Sequence, residues 1–231
     1  MRSYDWLLFD LDNTILDFNA SSVIAFNRIM EDLGLEEDPE LVRRFKKYNL
    51  QVWGEMEKGL IDHQQLKSKR WSLFFNSINI QMDPVEANNI YFELIKSNPV
   101  FVDHAFEIIQ KGSLSHQLMI ITNGLSEVQR PRLEITRLTN YFRHIVISDE
   151  LGHAKPHKAY FDHCHDLMNA PDKERVLVIG DTLHSDILGG KNFGYHTCWY
   201  NYSNNENEGV PTDYEIKDLR ELGGILEMGM T

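Results

Sequence analysis

Short unbroken apolar runs recur along the chain at Trp6–Phe9, Leu118–Thr122, Ile145–Ser148, Val176–Gly180 and Tyr195–Tyr200, with a weaker one at Tyr214–Ile216. The central runs do not alternate polar with apolar, so they read as strands covered on both faces, the pattern of a parallel sheet. Between the runs, helical segments are expected near 104–111, 126–139, 157–169 and 185–192. Strand and helix in alternation predict an α/β fold with a doubly wound parallel sheet.

One region breaks the alternation. From about residue 19 to 98 there is no good strand, but helix starts recur. Asp38-Pro39 and Asp83-Pro84 each place a capping carboxylate before a proline at the first helical position. Asp62 with Gln65 has the spacing of a capping box. Gly34 and Gly59 suit helix C-termini. Val23, Phe26, Ile29, Met30 and Leu33 form an apolar stripe at helical spacing. The expected organisation is an α/β core, residues 1–17 with 100–231, interrupted by an inserted helical domain, 18–99. Farther along, Ser126 with Gln129 also has capping-box spacing, but Pro131 would then fall inside the helix at a cost of roughly 3 kcal/mol. The helix is therefore expected to begin near Pro131 or to be kinked there.

The first strand runs straight into Asp10 and Asp12, although a charge at the end of an apolar segment is costly to desolvate. In open α/β sheets, ligands bind beyond the carboxyl ends of the strands. The residues there are Asp10, Leu11, Asp12, Asn13 and Thr14 after the first strand, and Thr122, Asn123 and Gly124 after the second. Lys155 in "GHAKP" follows the third, and Gly180, Asp181, Thr182 and then Asp186 follow the fourth. Taken alone, Asp10 and Asp12 are an ordinary strand-ending turn, and Asp186 is a helix cap. Together, the acids, the hydroxyl and the lysine describe phosphoryl transfer. Hard carboxylate oxygens favour Mg²⁺, lysine and backbone N–H groups neutralise phosphate oxygens, and an Asp can be the nucleophile. A second carboxyl two residues on can protonate the leaving oxygen and then activate water.

The 231 residues carry a formal net charge of −12, which argues against polymeric nucleic acid as partner and leaves a small anionic substrate open. Cys164 and Cys198, the two cysteines present, are read as reduced thiols. The N-terminal apolar run is too short and too acidic for a signal peptide, and no stretch reaches membrane-spanning length, so a cytoplasmic location is expected. Trp53 and Tyr91 fall on expected helices of the insert, where an aromatic is more often core than a stacking platform. Trp53 remains a candidate to face a substrate.

"DLDNT", "ITNG", "AKP" and "GDTLHSD" resemble, in order, the four motifs of the haloacid dehalogenase-like hydrolase superfamily. The resemblance spans nearly the whole chain and includes a helical cap inserted after the first motif. Asn13 stands where that motif often has glycine, a mild departure since Asn tolerates turn geometry. The resemblance implies that Asp10 is the nucleophile and Asp12 the general acid/base. It also implies that Thr122 binds the phosphoryl group, that Lys155 holds Asp10 and the phosphate, and that Asn123 lies beside the substrate or shapes the turn. Mg²⁺ would be held by Asp181, the Asp10 side chain and the Asp12 main-chain carbonyl, with Asp186 at or near the metal. "WGEMEKGLI", "IITNGLSEVQRPRLEITRL", "VISDELGHAKPHKAYFDH" and "TCWYN" are similar to the bacterial pyrimidine 5′-nucleotidase branch, which implies UMP, dUMP and dTMP as substrates. A sugar-phosphate phosphatase or phosphomutase of the same superfamily is the alternative. A signalling receiver places its phosphorylated Asp after a middle strand and has no insert, so this order of motifs disfavours it.

Overall fold

The computed structural model describes residues 3–226, apart from the side chain of Glu57. Its strands are β1 (Trp6–Phe9), β2 (Gln117–Thr122), β3 (His144–Ile147), β4 (Val176–Gly180), β5 (His196–Tyr200) and β6 (Tyr214–Ile216). They form one sheet in the order β3-β2-β1-β4-β5-β6, and every pairing is parallel. The α-helices are α1 (Phe18–Asp32), α2 (Pro39–Glu57), α3 (His63–Ile78), α4 (Pro84–Ser97), α5 (Ala105–Gly112), α6 (Ser126–Ile135), α7 (Ser148–Leu151), α8 (Lys158–Leu167), α9 (Gly189–Phe193) and α10 (Leu222–Ile225). The chain divides into two compact units, one of residues up to Phe18 with those from Pro99 on, the other Asn19–Asn98.

In the α/β unit, successive residues of a strand point to opposite faces. Leu7 and Phe9 join Ile120, Leu177 and Ile179 in a core that includes Ile108 and Ile109 of α5 and Leu133 of α6. Trp6 and Leu8 join Met119, Ile121 and Val178 in a second core with Tyr160 and Phe161 of α8 and Phe193 of α9. A sheet with a core on each face needs apolar residues at every strand position, which is why the runs are unbroken. Cys164 and Cys198 are buried free thiols, one in each core. Among the described residues, no helix is long and apolar enough to cross a membrane.

The helical unit starts its helices where the local sequence dictates. Asp38 and Asp83 cap α2 and α4 with proline in the first turn, and Asp62 with Gln65 forms a reciprocal capping box on α3. Phe26, Phe45, Trp71 and Phe74 stack and cross with ring centroids 4.5–6.3 Å apart, and Tyr91 packs against Phe45 and Trp71. The same core holds a residue no apolar pattern signals. Arg70 is fully buried, lies over the rings of Tyr91 and Phe92 and donates to the side-chain oxygens of Asn49 and Asn88. Burial pulls its guanidinium down to about 10.

Of the two expectations for the segment around Pro131, a helix start near the proline is corrected. Helix α6 begins at Ser126 and carries Pro131 inside it. The capping box suggested by the spacing of Ser126 and Gln129 does not form: Ser126 Oγ donates to Glu150, and Gln129 turns inward, away from the helix start. The helix also stops earlier than expected, and a short 3₁₀ turn, Leu138–Asn140, follows it.

Candidate active site

The sheet order places β1 between β2 and β4, so the chain leaves β1 towards one side and later returns to the other. Ligand sites of open sheets form at such switch points. Asp10 continues the β1–β4 ladder by one step, its N–H donating to Ile179 O at 2.8 Å. That bond fixes the carboxylate at the strand's end. Asn13 then turns the chain with a left-handed φ of 61°, and its N–H donates to Leu16 O. Asn tolerates that conformation, which explains why glycine is dispensable there.

Lys155 reaches this edge from the loop between α7 and α8. Its ammonium donates to Asp10 Oδ1 at 2.6 Å, Asp186 Oδ1 at 2.7 Å and Ile121 O at 2.9 Å, so all three N–H donors are used. The lysine is buried. Burial would lower its pKa, but the facing carboxylates of Asp10 and Asp186 outweigh that and hold it above the usual lysine range. Asn123 sets the loop in place. Its side-chain amide donates to Lys155 O and accepts from Lys155 N–H, both at 2.9 Å. The structure thus gives Asn123 a clamp on the lysine's backbone.

Asp186 sits in a single π-helical turn, Leu183–Leu188, where Ile187 N–H reaches back to Thr182 O. Such turns often mark functional positions because they re-aim one side chain. Here the turn buries the Asp186 carboxylate, which accepts from Thr182 N–H at 3.1 Å as well as from Lys155. Gly180 makes room for it: a Cβ on residue 180 would lie 2.3 Å from Asp186 Oδ2 and 2.7 Å from Asp186 Cβ. Gly180→Ala is therefore expected to push Asp186 off Lys155, to lower stability by about 1–3 kcal/mol through overpacking, and to weaken divalent-cation binding at this edge. Calorimetric titration with Mg²⁺ and a thermal melt check both effects, and unchanged values would contradict the packing described.

Asp10, Asp181 and Asp186 each bring a carboxylate oxygen within 4.8 Å of the others. Burial is the largest influence on Asp10 and lifts its carboxyl well above the usual range, with Lys155 opposing and Asp186 and Asp181 reinforcing. Desolvation, then Asp186, pushes Asp181 up to about 7. Three acids around one ammonium are over-supplied with negative charge, and the donors are hard oxygens. The set fits a small divalent cation.

Asp12 does not share that cluster. Its carboxylate accepts from Arg132 Nη1 at 2.6 Å and from Gln129 Nε2 at 2.7 Å. Thr122, at the end of β2, is buried, and its hydroxyl accepts from Gly124 N–H and from Gln129 Nε2. The edge thus gathers Asp10, Thr122, Lys155, Asp181 and Asp186, with Asp12 beside them. Trp53 lies in the other unit, partly buried on α2. Gln129 and Arg132 escaped the sequence reading because Gln129 looked like half of a cap. The signal that could have found them is their spacing of three on one helix face behind "ITNG".

A family model described as haloacid dehalogenase-like hydrolase matches residues 7–200. The chain is 33% identical to the pyrimidine 5′-nucleotidase YjjG of Escherichia coli (strain K12), over 96% of this chain and 98% of that one. It is 29% identical to the pyrimidine 5′-nucleotidase PynA of Streptococcus pneumoniae (strain ATCC BAA-255 / R6), over 97% and 95%. It is 33% identical to the HAD-hydrolase YfnB of Bacillus subtilis (strain 168), over 100% and 99%. A crystal structure of YfnB bound to magnesium superposes with a TM-score of 0.90 at 31% identity, covering 97% of this chain and 99% of that one.

Proposed function

Because the chain belongs to the haloacid dehalogenase-like hydrolases, we propose that it is a phosphomonoesterase working through Asp10, with pyrimidine nucleoside monophosphates as its substrates. The observation that carries the reading is the contact of Lys155 with Asp10 at 2.6 Å, at the end of β1 and beside the end of the paired strand β2, where Thr122 lies. A carboxylate oriented by a buried ammonium, beside a hydroxyl at the edge of a parallel sheet, suits attack on phosphorus.

In the first step an Asp10 oxygen bonds to phosphorus as the ester P–O bond breaks, and Asp12 gives its proton to the leaving oxygen. In the second, Asp12 takes a proton from water as the water oxygen bonds to phosphorus. The Asp10–phosphorus bond then breaks, releasing inorganic phosphate and restoring Asp10. Thr122 donates to the transferring group, and the Lys155 ammonium, its hydrogens held by Asp10, Asp186 and Ile121 O, supplies a fixed positive charge beside it. Asp10, Asp181 and Asp186 would hold Mg²⁺, which when bound neutralises phosphoryl charge.

Two of the similar chains are named pyrimidine 5′-nucleotidases, and that supports the substrate class. The helical unit inserted after the Asp10 loop is assigned the reading of the leaving group, with Trp53 as its candidate aromatic. The test is phosphate release, with Mg²⁺, from UMP, dUMP, dTMP, AMP, GMP, glucose phosphates and an aryl phosphate. Preference for the pyrimidine monophosphates, by about tenfold or more in kcat/KM, is the expected result. Activity confined to sugar phosphates would keep the Asp10 chemistry and overturn the substrate class.

A further inference from the structure

The geometry points to Arg132 and Gln129 as positioning residues that hold Asp12, and through Gln129 also Thr122, in the arrangement that proton transfer to the leaving oxygen requires. This rests on the phosphomonoesterase reading above.

The contacts form a closed ring. Arg132 Nη1 donates to Asp12 Oδ1 at 2.6 Å and to Gln129 Oε1 at 2.7 Å, while Gln129 Nε2 donates to Asp12 Oδ2 at 2.7 Å. The second hydrogen of Gln129 Nε2 goes to Thr122 Oγ1 at 3.0 Å. Both oxygens of Asp12 are therefore fixed, and each amino hydrogen of these two nitrogens has a defined acceptor. The amide orientation of Gln129 follows from the ring, because the reverse would set its oxygen against the carboxylate.

Burial separates the holders from the held. The Arg132 side chain is 0% exposed and that of Asp12 28% exposed, so the carboxylate faces outward on a rigid base. A buried guanidinium is a poor core filler, since desolvating it is costly unless it is paired. Among the described residues, Arg132 Nε and Nη2 are buried with no hydrogen-bond partner, so this side chain is not placed for its own hydrogen-bond satisfaction. Among the described residues its carboxylate partner is Asp12.

Two independent features keep the ring in place. Residues 129 and 132 lie three apart on α6 and so share a face. Gly124 gives the amide its space: a Cβ there would lie 2.0 Å from Gln129 Nε2. The loop that presents Thr122 is thus shaped around Gln129.

A residue that acts through the general acid matters most when the leaving oxygen needs a proton. An alkoxide does, and a nitrophenolate leaves without one. The experiment compares kcat/KM for a nucleoside monophosphate and for p-nitrophenyl phosphate in the wild type, Arg132→Met, Arg132→Lys and Gln129→Met, all with Mg²⁺. This ratio reports transfer to Asp10 and is insensitive to slow hydrolysis of the intermediate. For Arg132→Met the expected loss is about 100-fold on the alkyl ester, carried by kcat, and under about tenfold on the aryl ester. Arg132→Lys should recover part of the loss. Asp12→Asn with Arg132→Met should be no slower than Asp12→Asn alone, because Arg132 acts through Asp12.

Equal losses on both esters, or fully additive losses in the double variant, would overturn the positioning role. If Arg132→Met does not fold, Gln129→Met decides by the same comparison of esters. A folded wild type that hydrolyses neither ester would instead refute the phosphomonoesterase reading itself.

Discussion

Asp10→Asn is expected to abolish phosphate release, by on the order of 10⁵-fold or more, while leaving the fold intact. The amide keeps the shape of the carboxylate and can still accept from Lys155, but it cannot form the bond to phosphorus. Its effect on stability should run opposite to its effect on turnover. Burial lifts the Asp10 carboxyl well above the usual range, so the folded protein disfavours its ionised form near neutral pH when no cation is bound. Removing that charge relieves the crowding with Asp186 and Asp181. In EDTA, the variant's melting temperature should therefore equal or exceed that of the wild type, as differential scanning calorimetry would read. Near-normal turnover would remove Asp10 from the chemistry, and a large loss of stability would mean that its charge is structural.

Lys155→Met carries the second largest effect, and here turnover and stability fall together. The ammonium is buried, with Asp10 and Asp186 at 2.6 and 2.7 Å. Without it, two buried carboxylates face each other with no cation between them. Breaking a buried pair in this way costs about 3–5 kcal/mol. Denaturant unfolding in EDTA should show a loss of that order. Added Mg²⁺ should restore part of it, since the ion would sit among Asp10, Asp181 and Asp186 and bind the folded form alone. Mg²⁺ should not restore turnover, which is expected to fall about 10³-fold with the loss of one fixed positive charge beside the phosphoryl group. A variant as stable as the wild type in EDTA would show that the acids are held apart by something other than Lys155.

The sheet was legible because each face of it is buried. Leu7 and Leu8 enter different cores, so the run around them could not alternate, and the same holds for Ile120 and Ile121. Element order and the helical insert followed from such runs and from the Asp-Pro helix starts. Which acids meet was legible only as a shared edge, since side chains far apart in sequence meet through the parallel register of β1, β2 and β4. Three details ran against the local sequence pattern for physical reasons. Arg70 enters the helical core beside aromatic rings, a placement that hydrophobic periodicity cannot signal for a charged residue. Asp186 owes its aim to a π-helical turn whose hydrogen bonds leave little trace in composition. Gln129 has the spacing of a capping residue, yet it bonds Asp12, 117 positions away, instead of its own helix start. There a local rule of the helix was overridden by the site.

The most direct test of the account is to trap the enzyme during turnover. The wild type is mixed with Mg²⁺ and a nucleoside monophosphate carrying a labelled phosphoryl group, quenched in acid within the first turnover, digested and mapped by mass spectrometry. Label is expected on the peptide "SYDWLLFDLDNTILDF", at Asp10, released by hydroxylamine as an acyl phosphate is, and absent from Asp10→Asn. Rapid phosphate release with no labelled protein at any quench time, or label on another side chain, would contradict it.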